Sequence, residues 1–121
     1  METKQLSLYI HIPFCIRKCA YCDFLSMPVS ESIRNEYVRM LLKEIEQEAA
    51  LYGDYSVKTI FFGGGTPTIL TVSQLADLLG KIRTCFRFAE SFEKTEISIE
   101  CNPGTVQYEA LCGLKEAGYN R

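Results

Sequence analysis

No stretch of this sequence stays apolar for long. Its longest apolar runs, such as Ile60-Phe61-Phe62, fall far short of the roughly 20 residues that a membrane-spanning helix needs. A basic block is also missing. Thirteen basic and 15 acidic residues are mixed along 121 positions for a net charge of −2, so nothing points to nucleic acid or an anionic membrane. The N-terminus, Met1-Glu2-Thr3-Lys4, lacks the pattern of a signal peptide. It mixes charges, and the apolar stretch behind it holds the only histidine, His11, and no small-residue cleavage site. The reading is therefore cytosolic. Internal repeats and low-complexity segments are absent as well.

What the chain does have is the makings of one compact unit: 47% hydrophobic and 23% charged residues. It also has six cysteines. In a reducing compartment, closely spaced cysteines serve as metal ligands or catalytic groups rather than disulfides. Cys15, Cys19 and Cys22 are closely spaced, whereas Cys85, Cys101 and Cys112 are scattered and read as small buried hydrophobes.

The hydrophobic pattern repeats in kind. Leu6 to Ile12 alternates and is rich in β-formers, a strand that Pro13 ends. A cysteine loop runs on to Pro28. Ser30 or Ser32 caps a long helix with Ile33, Tyr37, Leu41, Ile45 and Ala49 on one stripe, widened by Val38 and Leu42 and closed by Gly53. Val57 to Phe62 is a short buried strand that runs directly into Gly63-Gly64-Gly65-Thr66-Pro67. Thr71 and Gln74 form a capping box for a helix facing inward through Leu75, Leu78, Leu79 and Ile82. Glu96 to Cys101 is a third strand, ended by Asn102-Pro103-Gly104. Thr105 caps a last helix with Leu111, Leu114 and Ala117 inward and Gly118 beyond its end.

Three β-loop-α units imply an α/β fold: a parallel sheet with outer helices and right-handed crossovers. In such folds chemistry collects at the carboxyl ends of the strands. The cysteine loop, the glycine loop and the segment Glu100-Cys101-Asn102-Pro103 all fall there. The last residues, Gly118-Tyr119-Asn120-Arg121, read as the approach to a further strand. Three units cannot close a barrel and leave an edge exposed, so the chain is expected to be a truncated piece, or to need a partner to complete its sheet.

Cys15-x3-Cys19-x2-Cys22 suits a [4Fe–4S] cubane, whose thiolates must reach separate irons. A fourth cysteine is not near, which leaves one iron open to an outside ligand. Zinc held by the three cysteines and His11 is the rival reading, although the spacing is unusual for a zinc ribbon. His11 is left unassigned. The glycine run permits positive φ and close backbone approach, with N–H groups for an anion or carbonyls for an ammonium. It lacks the Lys-Ser/Thr of a P-loop and the spacing of a dinucleotide fingerprint; alone it is as consistent with a simple tight turn. Glu100 ends the third strand, where its carboxylate could accept from a ribose or an amine, or merely sit in solvent. Tyr9 and Tyr21 read as core aromatics by default.

Together these residues resemble the radical S-adenosylmethionine (SAM) superfamily, marked by Cys-x3-Cys-x2-Cys after the first strand. Tyr9-Ile10-His11-Ile12-Pro13-Phe14-Cys15 and Phe62-Gly63-Gly64-Gly65-Thr66-Pro67-Thr68 are similar to the oxygen-independent coproporphyrinogen III oxidases and the related HemW-type heme chaperones. The resemblance implies that residues 1–121 are the N-terminal part of a partial (β/α)6 barrel. It implies a cluster on Cys15, Cys19 and Cys22. It implies the methionine part of SAM on Gly64, Gly65 and Thr66, and its remaining polar groups on Glu100 and Tyr9. Tyr21 matches an aromatic position near a second cofactor molecule in the oxidases. In the family, the reduced cluster gives one electron to the sulfonium and the C–S bond breaks to a 5′-deoxyadenosyl radical.

After its third cysteine the oxidase pattern continues with Gly-Cys, whereas this chain has Cys22-Asp23-Phe24, as in the chaperones. The resemblance therefore implies heme binding and delivery to an acceptor protein, through a segment beyond Arg121. Porphyrinogen decarboxylation, an enzymatic role in porphyrin biosynthesis, and an inactive truncated product are the alternatives. The sequence names neither the electron donor nor the heme acceptor.

Overall fold

The computed structural model describes residues 4–14, 30–101 and 107–121. It is an α/β unit built on a parallel sheet. Strand β1 (Lys4–Ile12) is followed by helix α1 (Glu31–Leu51), then β2 (Tyr55–Gly64), α2 (Val72–Cys85), a two-residue strand β3 (Arg87–Phe88), β4 (Glu96–Ile99) and α3 (Tyr108–Ala117). The three expected strands are present as β1, β2 and β4. β3 was not expected. It lies beside the start of β2, pairing Ser56 with Arg87, and two residues are too few to leave a periodic signal.

β2 is the centre of the sheet. β1 lies parallel along one side, from Lys4 beside Tyr55 to Ile12 beside Gly64. β4 lies along the other, from Thr59 beside Glu96 to Phe62 beside Ile99. The β1–β2 register slips between Leu6 and Ser7, because Leu6 faces Val57 while Ser7 faces Thr59. Lys58 is thus an extra residue, a β-bulge. It explains why Val57 and Ile60 are both buried although three apart.

One face of the sheet is covered and the other is open. Ile10, Ile12, Ile60, Phe62 and Ile97 pack with Val38 and Ile45 of α1 and with Leu75, Leu78, Leu79 and Ile82 of α2 in one core. Their neighbours along the strands point the other way: Tyr9 is 58% exposed and Phe61 41%. This is the period-2 alternation of a sheet clad by helices on a single face.

The helix boundaries follow local chemistry. The Ser30 side chain accepts from Ile33 N–H, and Thr71 and Gln74 form the expected reciprocal capping box. α1 ends at Leu51 with Tyr52 as its cap, whose N–H bonds the carbonyl of Glu48. Gly53, expected to close it, does not take a positive φ. Gly118 does, at +125°, and terminates α3 as expected. α3 begins later than expected, with Gln107 in the cap position and no side-chain bond; Thr105 lies outside the described residues. Two inward assignments are corrected. Ile33 is 53% exposed and Leu111 48%, so neither side chain joins the core formed by the described residues.

The last residues bond to β4 through their backbone without forming a regular strand. Arg121 N–H donates to the Ile97 carbonyl, and Ile99 N–H donates to the Arg121 carbonyl, the ladder pattern of a parallel pair with Ser98 between. Asn120 anchors this contact. Its side-chain oxygen accepts from Ile97 N–H at 2.8 Å, and its amide donates to the Thr95 carbonyl at 2.8 Å. Among the described residues, no helix is long and apolar enough to cross a membrane.

Candidate functional site

The carboxyl ends of β1, β2 and β4 meet at the glycine loop. β2 runs into it without interruption, and the peptide turns at Gly64 with φ +119°. An L side chain rarely adopts that conformation. A Cβ on Gly64 would lie 2.6 Å from the Ile12 carbonyl oxygen, so glycine is required for space as well as for φ.

Gly63 is required by its neighbours on the open face. A Cβ there would lie 2.4 Å from Glu100 Oε1, 2.5 Å from Phe61 Cε1 and 3.1 Å from Tyr9 Cε1. Side chains from β1, from β2 and from the residue just after β4 therefore close over one bare backbone position. Tyr9 stacks on Phe61 with ring centroids 5.8 Å apart, and its hydroxyl is hydrogen-bonded to His11 Nδ1 at 3.0 Å.

The loop's N–H groups are already used. Gly64 N–H donates to Glu100 Oε1 at 3.0 Å. Gly65 N–H donates to the Ile12 carbonyl at 2.9 Å, and Thr66 N–H to the Phe14 carbonyl at 2.6 Å. Glu100 N–H in turn donates to the Phe62 carbonyl at 3.0 Å, which fixes the carboxylate's backbone against β2. A turn whose three donors are already bonded is no anion cradle. Of the two uses open to a glycine turn, the geometry keeps the second: oxygens that receive a cationic donor. The Gly65 carbonyl accepts no backbone hydrogen bond among the described residues, and the Glu100 carboxylate lies beside it, exposed. Gly65, Thr66, Glu100 and Cys101 line a cavity of about 220 Å³. Thr66 itself is buried, held by the short turn Pro67–Ile69, in which Ile69 N–H bonds the Thr66 carbonyl.

Five residues singled out from sequence, Tyr9, Gly64, Gly65, Thr66 and Glu100, are thus gathered at one end of the sheet. Tyr9 is not the core aromatic of the default reading, because odd positions of β1 face the open side. Cys15, Cys19, Cys22 and Tyr21 lie outside the described residues. Among the described residues, no group of three or more His, Cys, Asp or Glu side chains is arranged to hold a metal ion. The scattered cysteines are not the buried hydrophobes expected: Cys101 is exposed at the site, and Cys85 and Cys112 are half-buried. Phe61 was not singled out. Its place two residues before Gly63, on the same face, was the available signal.

The model of the radical SAM superfamily matches residues 9–121. Over 117 residues the chain is 41% identical to the heme chaperone HemW of Buchnera aphidicola (subspecies Acyrthosiphon pisum), covering 96% of this chain and 30% of that protein. It is 35% identical over 119 residues to the oxygen-independent coproporphyrinogen III oxidase of Salmonella typhimurium, covering 98% of this chain and 25% of the oxidase. The solved structure of the Escherichia coli coproporphyrinogen III oxidase HemN, a radical SAM enzyme, superposes with a TM-score of 0.86 at 34% identity over 99% of this chain and 27% of that one. The chain therefore spans about three tenths of the length of its relatives.

Proposed function

The chain belongs to the radical SAM superfamily, and from that premise we propose that it is the cofactor-binding N-terminal part of a HemW-type heme chaperone. Homology to the heme and porphyrin branch of the superfamily is the coarser statement on which the proposal stands. Two things favour the chaperone within that branch: the higher identity to a HemW protein, and Cys22-Asp23-Phe24 in place of the oxidase's Gly-Cys.

The observation that carries the cofactor reading is the spent-donor glycine loop beside Glu100. SAM carries an ammonium and a sulfonium beside one carboxylate and is a net cation, and the described end of the sheet offers oxygens. In this reading the Gly64 and Gly65 backbone and Thr66 receive the methionine part, with Glu100 accepting from its ammonium. Tyr9 bounds the site from β1, and Tyr21 flanks a second cofactor position. Cys15, Cys19 and Cys22 hold the [4Fe–4S] cluster, which when bound would supply one electron to the sulfonium. The protein's own share is orientation and exclusion of water and oxygen. Heme and its acceptor protein would be engaged by the rest of a full-length protein.

The test is anaerobic reconstitution of the full-length protein with iron and sulfide, followed by separate incubation with heme and with coproporphyrinogen III plus SAM. Stoichiometric heme binding without porphyrinogen turnover is expected. Formation of protoporphyrinogen would instead establish the oxidase reading. A colourless product that takes up zinc would overturn the cluster. With the reconstituted protein, Glu100→Gln is expected to weaken SAM binding by about 10- to 100-fold in equilibrium dialysis, the loss of a charge-assisted hydrogen bond.

A further inference from the structure

Among the described residues, the outer edge of β1 has no strand beside it. β1 is an end strand that pairs with β2 alone. The Ile12 and Phe14 carbonyls point toward β2 and its glycine loop, where they accept from Gly65 and Thr66. Backbone groups alternate sides along a strand, so Ser7, Tyr9 and His11 turn theirs outward. The His11 carbonyl is the only one of these for which a partner is seen among the described residues: the Tyr37 hydroxyl of α1 donates to it at 2.5 Å. No described residue pairs with the rest of the edge, the condition under which a strand can be added.

Beside this edge, between β1 and α1, lies a groove of about 320 Å³. Its apolar walls include Leu8, Leu41, Ile45 and Phe86, and its rim carries Glu44 and Glu48. Leu8 and Leu41 are only partly buried, so their packing is incomplete. Glu44 and Glu48 are one helical turn apart, both exposed, and neither has an ion pair among the described residues. Like charges at that spacing repel and cost helix stability. The neighbouring Glu46 is different: it is paired with Lys81 of α2 at 2.8 Å. The two unpaired carboxylates thus face the groove, where a cation would relieve them.

We propose that this groove is a docking site for an extended segment of a partner protein bearing lysine or arginine alternating with apolar residues. The segment adds as a strand to the outward groups of Ser7 and Tyr9. Its apolar side chains fill the space between Leu8 and Leu41, and its cationic side chains meet Glu44 and Glu48. Nothing in this depends on the glycine loop or on a cofactor.

The test uses the 121-residue chain and a labelled peptide of about six residues, alternating lysine and valine. Its control is the same peptide with glutamate for lysine. Fluorescence anisotropy is expected to show binding of the lysine peptide alone, and hydrogen exchange to show slowed exchange of the Tyr9 amide on binding. Glu44→Gln combined with Glu48→Gln is expected to weaken binding about tenfold, as loss of two surface ion pairs would. Ser7→Pro, which removes an outward N–H, is expected to abolish it, and Ser7→Ala, which loses only the Ser7–Thr59 side-chain hydrogen bond between β1 and β2, is expected to leave it unchanged. No binding at millimolar peptide overturns the proposal. So does equal binding of both peptides, or binding that leaves the Tyr9 amide unprotected. Concentration-dependent protection of Tyr9 without peptide would assign the groove to a second copy of the chain and overturn the partner assignment.

Discussion

Replacing Gly64 by alanine should damage the fold and the loop together. Two separable costs follow from the structure. The first is backbone strain, because φ of +119° is a region L residues avoid, at about 1–3 kcal/mol. The second is overlap. The new Cβ would sit 2.6 Å from the Ile12 carbonyl oxygen and 3.0 Å from His11 Cε1. The carbonyl is backbone at the end of β1 and is also the acceptor for Gly65 N–H, so it cannot swing away without breaking that bond. Overpacking of this kind costs about 1–3 kcal/mol. Gly64→Ala is therefore expected to destabilise by about 2–6 kcal/mol, a large fraction of a small domain's total. Gly80 supplies the control. It lies exposed within α2, and a Cβ there meets nothing within 4 Å. Gly80→Ala should stabilise by about 0.4–1 kcal/mol through helix propensity and reduced unfolded-state entropy. Urea titration of both variants, followed by far-ultraviolet circular dichroism, reads the two signs directly. If Gly64→Ala unfolds within about 1 kcal/mol of the parent, the constraint assigned to the loop is wrong.

Asn120→Ala should cost about 2–3 kcal/mol, because it leaves the Ile97 N–H and the Thr95 carbonyl without their side-chain partner, and both residues are buried. Exchange of the Ile97 amide should accelerate in the same variant; an unchanged rate would show that the side chain is dispensable there. Tyr119 is buried, its hydroxyl donates to the Leu75 carbonyl at 2.8 Å, and burial raises its pKa above the ordinary phenol value. The unfolded chain releases this proton near pH 10 while the folded chain keeps it, so the associated stability is whole below about pH 10 and declines above it. The decline is at most about 1.4 kcal/mol per pH unit. Tyr119→Phe should lower stability at neutral pH by about 1 kcal/mol and flatten the alkaline slope by one proton; a slope identical to the parent's would place the titration elsewhere.

The fold was largely legible because its signals are local or periodic. The capping box at Thr71 and Gln74, the α2 stripe from Leu75 to Ile82 and the breaking role of Gly118 depend on near neighbours, and all are as read. The misses are tertiary. Ile33 and Leu111 lie on amphipathic stripes, but both stand outside the core that the described residues form. The bulge at Lys58 and the two-residue β3 leave no pattern to find. At the site, residue types and strand ends identified Glu100 and the glycine loop. The closure of Tyr9, Phe61 and Glu100 over Gly63 required the register of three strands, which no spacing in the sequence encodes.

The occupation of the loop's donors has a consequence for selection among metabolites. Adenosine is carried in cells by molecules of opposite charge: nucleotides present phosphates, while SAM presents a sulfonium and an ammonium. A glycine loop with free N–H groups would hold the first kind, as phosphate loops do. Here Gly64, Gly65 and Thr66 give those groups to Glu100, Ile12 and Phe14. What remains is an oxygen surface beside a carboxylate, which would repel a nucleotide's phosphates and, in the proposed reading, would suit the ammonium of SAM. In the proposed reading, discrimination would be set by the protein's own hydrogen bonding before any ligand arrives, and Glu100 would take part in it twice, by occupying a donor and by supplying the charge.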